Sequence, residues 1–454
     1  MYYPKTPPRD RYATLADARD RLALSNPATG AQATSPYQTA LSYVQQSRND
    51  LAIPILEKLL GETPRDLKAR NLLGIALLNS GRREEAAAQF RRAWELDASF
   101  YPALKNLAIA ELALARRTEA REHFQQVLKL APDDAVTHLN LAEIDFAAQR
   151  YADALAHNKR CGGLYLKDKE VALRVLRAAV ESRNPAAAEG MAAQMDKAPE
   201  ALRLLARSCE HAGDTQRAYD TLREASRIDP GDESVYLDLM SLCVEHRTWD
   251  LALQVAEAAL DRLPKSFRVR IQRGAVFALM SEMDKAEREF AEAARLAPDE
   301  VVPAVSLALA RVQLDRVPEA LAGLRACRGA HPKDYLTARI LGETLAQGGE
   351  ETEAIQALED AARLGPREAA PRLLLGKLLA RRGELAGAAR EMEAALKLQP
   401  GDTSAQYQLA TIYRKSGDLK RADELFEKVG NARAEDPQNT AGRNLLEVIR
   451  QSGR

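Results

Sequence analysis

The chain has 454 residues, 65 lysines plus arginines against 65 aspartates plus glutamates, and 5% aromatic residues. A charge balance of zero removes the broad attraction that nucleic acid or an anionic membrane needs, leaving room only for a local basic patch. The length exceeds what one compact core fills, so the choice lies between several domains and one elongated array, and the abundance of alanine, leucine, arginine and glutamate predicts an almost wholly helical chain.

Residues 1–32 are rich in proline, charge and small polar side chains, as in Pro4-Lys5-Thr6-Pro7-Pro8-Arg9-Asp10, and read as an extended or disordered arm. Leu15, Ala18 and Leu22 could form one apolar stripe of a short helix that Ser25-Asn26-Pro27 stops. No signal-peptide core follows Met1 and no window approaches a membrane span. The expectation is therefore a cytoplasmic protein, or a periplasmic one if a leader has been removed.

From residue 33 the chain becomes periodic. Pro230, Pro264, Pro298, Pro332, Pro366 and Pro400 recur every 34 residues. So do Ala52, Ala86, Ala120 and Ala154, and then Ala218, Ala252, Ala286, Ala320, Ala354, Ala388 and Ala422. Four residues after many of these alanines stands a large apolar side chain, among them Leu56, Phe90, Phe124, Phe290, Leu358 and Met392. That pattern describes a helix that needs a small residue at a close contact and plugs a pocket one turn later. A second column pairs leucine with a small residue, as in Leu73-Gly74, Leu107-Ala108, Leu341-Gly342 and Leu375-Gly376. A glycine often follows seven residues later (Gly81, Gly213, Gly349, Gly383, Gly417), where a left-handed cap would turn the chain into an antiparallel helix.

Leucine, then glycine or alanine, then alanine, then a large apolar residue, then proline, on a 34-residue frame, resembles the tetratricopeptide repeat over about residues 33–434. The family's early tryptophan is replaced by Arg70, Leu104, His138, Tyr236 and Arg270. The resemblance implies an all-α fold: a right-handed α-solenoid of about twelve helix-turn-helix repeats. The organisation expected is an N-terminal array at 33–166, an irregular repeat at 167–199, a C-terminal array at 200–436, and a capping helix and tail at 437–454. In the irregular repeat, Ala154 and Ala218 are 64 apart instead of 68, and Leu166 and Asn158 stand where the frame expects proline and a large apolar residue. Loss of four residues is about one helical turn, so a truncated second helix over Ala186–Met195, entered at Asn184-Pro185, keeps its apolar face in register. This is either a drifted repeat that bends the stack or a hinge or docking notch. Leu445, Leu446, Val448 and Ile449 give residues 440–451 the apolar face that a terminal cap requires.

Catalytic signatures are missing: there is no glycine-rich phosphate loop, no Gly-x-Ser-x-Gly, no Cys-x-x-Cys and no His-Glu-x-x-His. No enzymatic activity, cofactor or metal is expected. His123 and His157, 34 apart, could lie beside each other on neighbouring helices, a ligand geometry only if carboxylates or thiols converge as well, and are assigned to the surface; His211 and His246 are assigned to helix ends where a cation offsets the dipole. Cys161, Cys209, Cys243 and Cys327 are scattered, which favours buried thiols in a reducing compartment, with a Cys209–Cys243 disulfide or metal site as the lesser alternative.

By the resemblance, ligands lie against the first helices of successive repeats on the concave side. The implied inner positions form an apolar strip at Ile271, Ala275, Ala278, Leu279, Val302, Val305, Leu309 and Val312. A second strip comprises Ile75, Leu78, Ile109, Leu112 and Phe146, bordered by Lys105 and Asn140. Lys377, Arg381, Arg414 and Lys415 make a basic stretch suited to an acidic segment. Lys105 and Asn140 match two positions with which some members hold a chaperone's C-terminal carboxylate, but Ile109 replaces a required asparagine, which argues against that role. Each apolar strip is either a site for a partner's helix or peptide, or ordinary packing. The functional expectation is a non-enzymatic adaptor that binds an unidentified protein. The alternatives are a structural subunit that self-associates or builds a larger complex, and an assembly tether of an envelope or secretion machine.

Overall fold

The computed structural model describes residues 35–432 except Lys197. The expected N-terminal arm and the capping helix at 440–451 lie outside the described residues. Within them are 24 α-helices and no strand. The described residues fall into two compact units, unit 1 ending at Thr221 and unit 2 beginning at Leu222.

Unit 1 contains α1 (Pro36–Gln45), α2 (Asn49–Glu62), α3 (Leu67–Asn79), α4 (Arg83–Leu96), α5 (Tyr101–Ala113), α6 (Arg117–Leu130), α7 (Ala135–Ala147), α8 (Tyr151–Arg160), α9 (Lys169–Glu181), α10 (Pro185–Ala192) and α11 (Pro199–His211). The division between units falls inside α12 (Thr215–Ile228). Unit 2 continues with α13 (Glu233–Glu245), α14 (Trp249–Arg262), α15 (Phe267–Leu279), α16 (Met283–Leu296), α17 (Val301–Gln313), α18 (Val317–Ala330), α19 (Tyr335–Gln347), α20 (Glu351–Leu364), α21 (Ala370–Arg381), α22 (Leu385–Leu398), α23 (Thr403–Lys415) and α24 (Leu419–Ala432).

Each repeat is a pair of helices whose small residues let them meet closely. A Cβ added to Gly74 on α3 would lie 2.4 Å from the Phe90 ring of α4, and one on Gly274 would lie 2.6 Å from Phe290. The alanine column supplies the other half of this contact. Ala86, Phe90 and Ala93 are fully buried on one stripe of α4, as are Ala286, Phe290 and Ala293 on α16. Second helices thus bury one face. First helices are also covered by the first helices of adjacent repeats, α3 by α1 and α5, and α19 by α17 and α21. For this reason α3 buries eight residues distributed around its circumference, whereas α4 buries four.

The turn between the two helices of a pair is identical throughout. Gly81, Gly213, Gly349, Gly383 and Gly417 all have positive φ, as the glycine column requires. In the remaining repeats the same left-handed position is held by Ser47, Ala115, Gln149, Arg183, Arg247, Ser281 and Asp315. The prolines mark the other turn, between repeats. At several of these turns the residue at the missing-tryptophan position reaches back six residues to the proline carbonyl: Arg70 donates to Pro64 (2.6 Å), His138 bonds Pro132 (2.8 Å), Tyr236 donates to Pro230 (3.3 Å) and Gln406 donates to Pro400 (2.7 Å). A long polar donor therefore closes the turn that an indole would otherwise cover.

The irregular repeat is shortened where expected. Asn184 caps α10 by accepting from the Ala187 amide, α10 has 8 residues where regular second helices have 14, and a 3₁₀ turn, Ala193–Met195, completes it. Ala188, fully buried, is the twelfth member of the alanine column. A second irregularity precedes it without any loss of residues. Helix α8 stops after 10 residues, Gly162 and Gly163 turn the chain in left-handed geometry, and a 3₁₀ helix, Leu164–Lys167, follows. Here Asn158 occupies the pocket-plugging position, and Leu164 and Tyr165 join the cluster of Leu139, Leu155, Val175 and Leu176.

Candidate functional site

The first expected strip is largely core. Ile271 is 0% exposed, and Ala275, Ala278 and Val305 are buried as well, because the first helices α15 and α17 pack on one another and consume these side chains. Leu279, Val302, Leu309 and Val312 are half-buried, with Leu279, Val302 and Leu309 packed against the Ile271 cluster. The expectation that this strip meets water is corrected for the four buried residues.

The second strip is corrected similarly. Leu78, Ile109 and Leu112 are buried and Ile75 is half-buried within the core of unit 1. Phe146 is half-buried and packs edge-on against Tyr151, with ring centroids 5.6 Å apart. Its polar border is internally engaged: Lys105 Nζ donates to Asp134 Oδ2 at 2.8 Å, and Asn140 Nδ2 donates to the Val136 carbonyl at 2.9 Å. Burial, the largest single influence, pushes the Asp134 carboxyl up, but the Lys105 ion pair and hydrogen bonding from Thr137, whose amide N–H donates to Oδ1, together hold it below its ordinary range.

The basic stretch of unit 2 lies at an open groove. Its volume of about 660 Å³ is lined by residues of α19, α21 and α23, with Met392 of α22 beneath. Its apolar lining includes Ala346, Leu374, Leu378, Tyr407 and Ile412. Lys377, Arg381 and Lys415 stand at its edge. Arg381 pairs with Glu351 at 2.9 Å, whereas Lys377 and Lys415, both exposed, have no carboxylate partner among the described residues. Arg414 is turned away from the cavity, with its guanidinium 5.1 Å from the Phe426 ring on α24. The Gln408 side-chain carbonyl is buried at the cavity wall without a hydrogen-bond donor, and Tyr407 is 42% exposed beside it.

The cations at this groove were expected from the sequence, but its apolar lining was not. The signal was present: Leu374, Leu378 and Arg381 share a helical face with Lys377, and Tyr407, Thr411 and Lys415 follow one another at four-residue intervals.

The expected helix-end and surface assignments divide. His211 closes α11 and His246 follows α13, as expected. His123 and His157 are half-buried and bond different partners: His123 Nδ1 bonds buried Glu111 at 2.7 Å and His157 Nδ1 bonds buried His138 at 2.9 Å. All four cysteines are buried free thiols, and burial raises the pKa values of Cys209, Cys243 and Cys327. Among the described residues no group of three or more His, Cys, Asp or Glu side chains could hold a metal ion, and no helix is long and apolar enough to cross a membrane.

A succession of antiparallel helix pairs, stacked through their first helices and fixed by a repeated small-residue contact, defines a helical-repeat solenoid. The tetratricopeptide-repeat profile matches residues 37–99, 105–160, 164–233 and 305–369, with a second profile of the same description at 379–439. The chain belongs to the tetratricopeptide-repeat family. No curated protein matches it. Among solved structures it is similar to Naa15/Naa10 bound to HypK-THB (18% identity over 86% of this chain and 67% of that one, TM-score 0.45). It is also similar to yeast Tom70 (16% identity, 92% and 94% covered, TM-score 0.41) and to the APC/C hetero-tetramer Cut9-Hcn1 (13% identity, 92% and 96% covered, TM-score 0.40).

Proposed function

We propose that the chain is a non-enzymatic interaction scaffold whose α19–α21–α23 groove takes a segment of a partner protein carrying a large apolar side chain next to carboxylates. The observation that carries this reading is the groove of about 660 Å³ with a partly apolar lining, edged by the ammonium groups of Lys377 and Lys415, which have no carboxylate partner among the described residues. Covering Tyr407 and the half-buried Leu374 and Ala346 supplies the affinity, while the cations select sign and register. The Gln408 carbonyl offers an acceptor for an N–H of the incoming segment.

The test uses fluorescein-labelled synthetic peptides holding leucine or phenylalanine between glutamates, and matched peptides with lysines in their place, titrated against the full chain. The glutamate series should bind at least about tenfold more tightly, with affinity falling as salt rises. Lys377→Glu with Lys415→Glu should invert the preference, and Tyr407→Ala should weaken both series. Equal binding of the two series, unchanged by the charge reversal, rejects the reading.

A further inference from the structure

The histidine pair of unit 1, buried His138 and half-buried His157, has no part in the groove. His138 on α7 is 1% exposed, and its Nε2 lies 2.8 Å from the Pro132 carbonyl. A carbonyl only accepts, so the proton of the neutral His138 ring is on Nε2 and its Nδ1 is a bare acceptor. That Nδ1 faces Nδ1 of His157 on α8 at 2.9 Å, which fixes His157 as the donor and leaves its Nε2 without a proton. His157 Nε2 points toward Asp145 Oδ2 at 3.8 Å. Asp145 is 0% exposed; its Oδ1 accepts from Arg121 Nε of α6 (3.1 Å) and from Arg150 at the start of α8 (2.7 Å), and its Oδ2 has no hydrogen bond.

We infer that this pair is an acid-operated latch that holds α8 onto α7 as long as the two rings share no more than one extra proton. The first proton fits on His157 Nε2, where it is directed at the unpaired Oδ2 and leaves the bond between the rings intact. A second proton can enter only at His138 Nδ1, where two N–H groups would meet head-on at 2.9 Å, so the rings must separate. Helix α8 has 10 residues, about one turn fewer than the 14 of a regular second helix, and the ring-to-ring bond lies within its last turn.

The groups around His157 set the direction. Burial is the largest influence and lowers its pKa from the ordinary value; His138 and Arg121 act in the same sense, and Asp145 and Asp153 oppose them. Helix α9, which packs on α8, contributes Arg174, already paired with Glu143 of α7. The opened repeat takes protons on both rings near the unperturbed value of about 6.5, so below that pH it binds more protons than the latched one. The latch contributes fully above about pH 6.5 and weakens as pH falls below it.

Hydrogen exchange on the full chain at pH 7.5 and 5.0, corrected for intrinsic rates, provides the test. Residues 135–160 should open at least about tenfold more at pH 5.0, relative to 267–296 in unit 2, since one pKa unit of difference is tenfold in the opening constant. His157→Gln, whose amide can still donate to His138 but does not titrate, should reduce the change to less than about threefold. Selective histidine NMR on the unmodified protein decides the matter should that variant fold poorly. His138 should keep its Nε2–H tautomer until α7 and α8 exchange freely. Independent titration of both rings near 6.5 in the closed repeat, or an acid response of equal size in His157→Gln, overturns the inference.

Discussion

Ala115 and Gly349 occupy the same position of the repeat, with φ of 62° and 81°, yet only one of them tolerates that geometry without steric cost. For an L-residue the left-handed conformation is unfavourable by roughly 1–2 kcal/mol, partly offset by the larger unfolded-state entropy of glycine. Ala115→Gly should therefore raise stability by about 0.5–1 kcal/mol, and Gly349→Ala should lower it by a similar amount, both read from chemical denaturation. The close contacts give a second residue-scale expectation. Gly74→Ala places a methyl 2.4 Å from the Phe90 ring, and the overpacking should cost about 1–3 kcal/mol, whereas Phe90→Ala should cost about 3–5 kcal/mol through cavity formation. The close contacts were legible in the sequence, since a recurring alanine or glycine states that a neighbour occupies the space of a side chain, whereas a left-handed turn at Ala115 was not.

At the scale of helices, the 34-residue period gave the existence and order of the pairs, and the single four-residue slip gave the shortened α10. It did not give the early end of α8, because no residue is lost there. Asn158 and the Gly162-Gly163 pair were visible, but only packing shows that Leu164 and Tyr165 are drawn into the core where a regular helix would have continued. The groove was also only half legible. An apolar residue on the inner side of a first helix is exposed or covered according to how closely the next first helix approaches, so Ile271 and Leu374 read alike in the sequence although one is core and the other lines a cavity.

Within a unit, contacts run between neighbouring repeats, and stability in such an array is close to a sum of local terms. A core truncation should consequently be felt nearby and not at a distance. Phe124→Ala on α6 should raise hydrogen-exchange rates in α5–α8 by well over tenfold, given a cost of about 3–5 kcal/mol, and leave α19–α22 of unit 2 unchanged. Uniform acceleration across both units would show a single cooperative fold instead. By itself the sequence determined the family, the number of helix pairs and the contact that joins each pair, because those depend on residue size at a fixed spacing. Which inner faces stay open, and which histidines pair, was decided only by tertiary packing. Both depend on what an adjacent repeat covers, and no single repeat encodes the position of its neighbour.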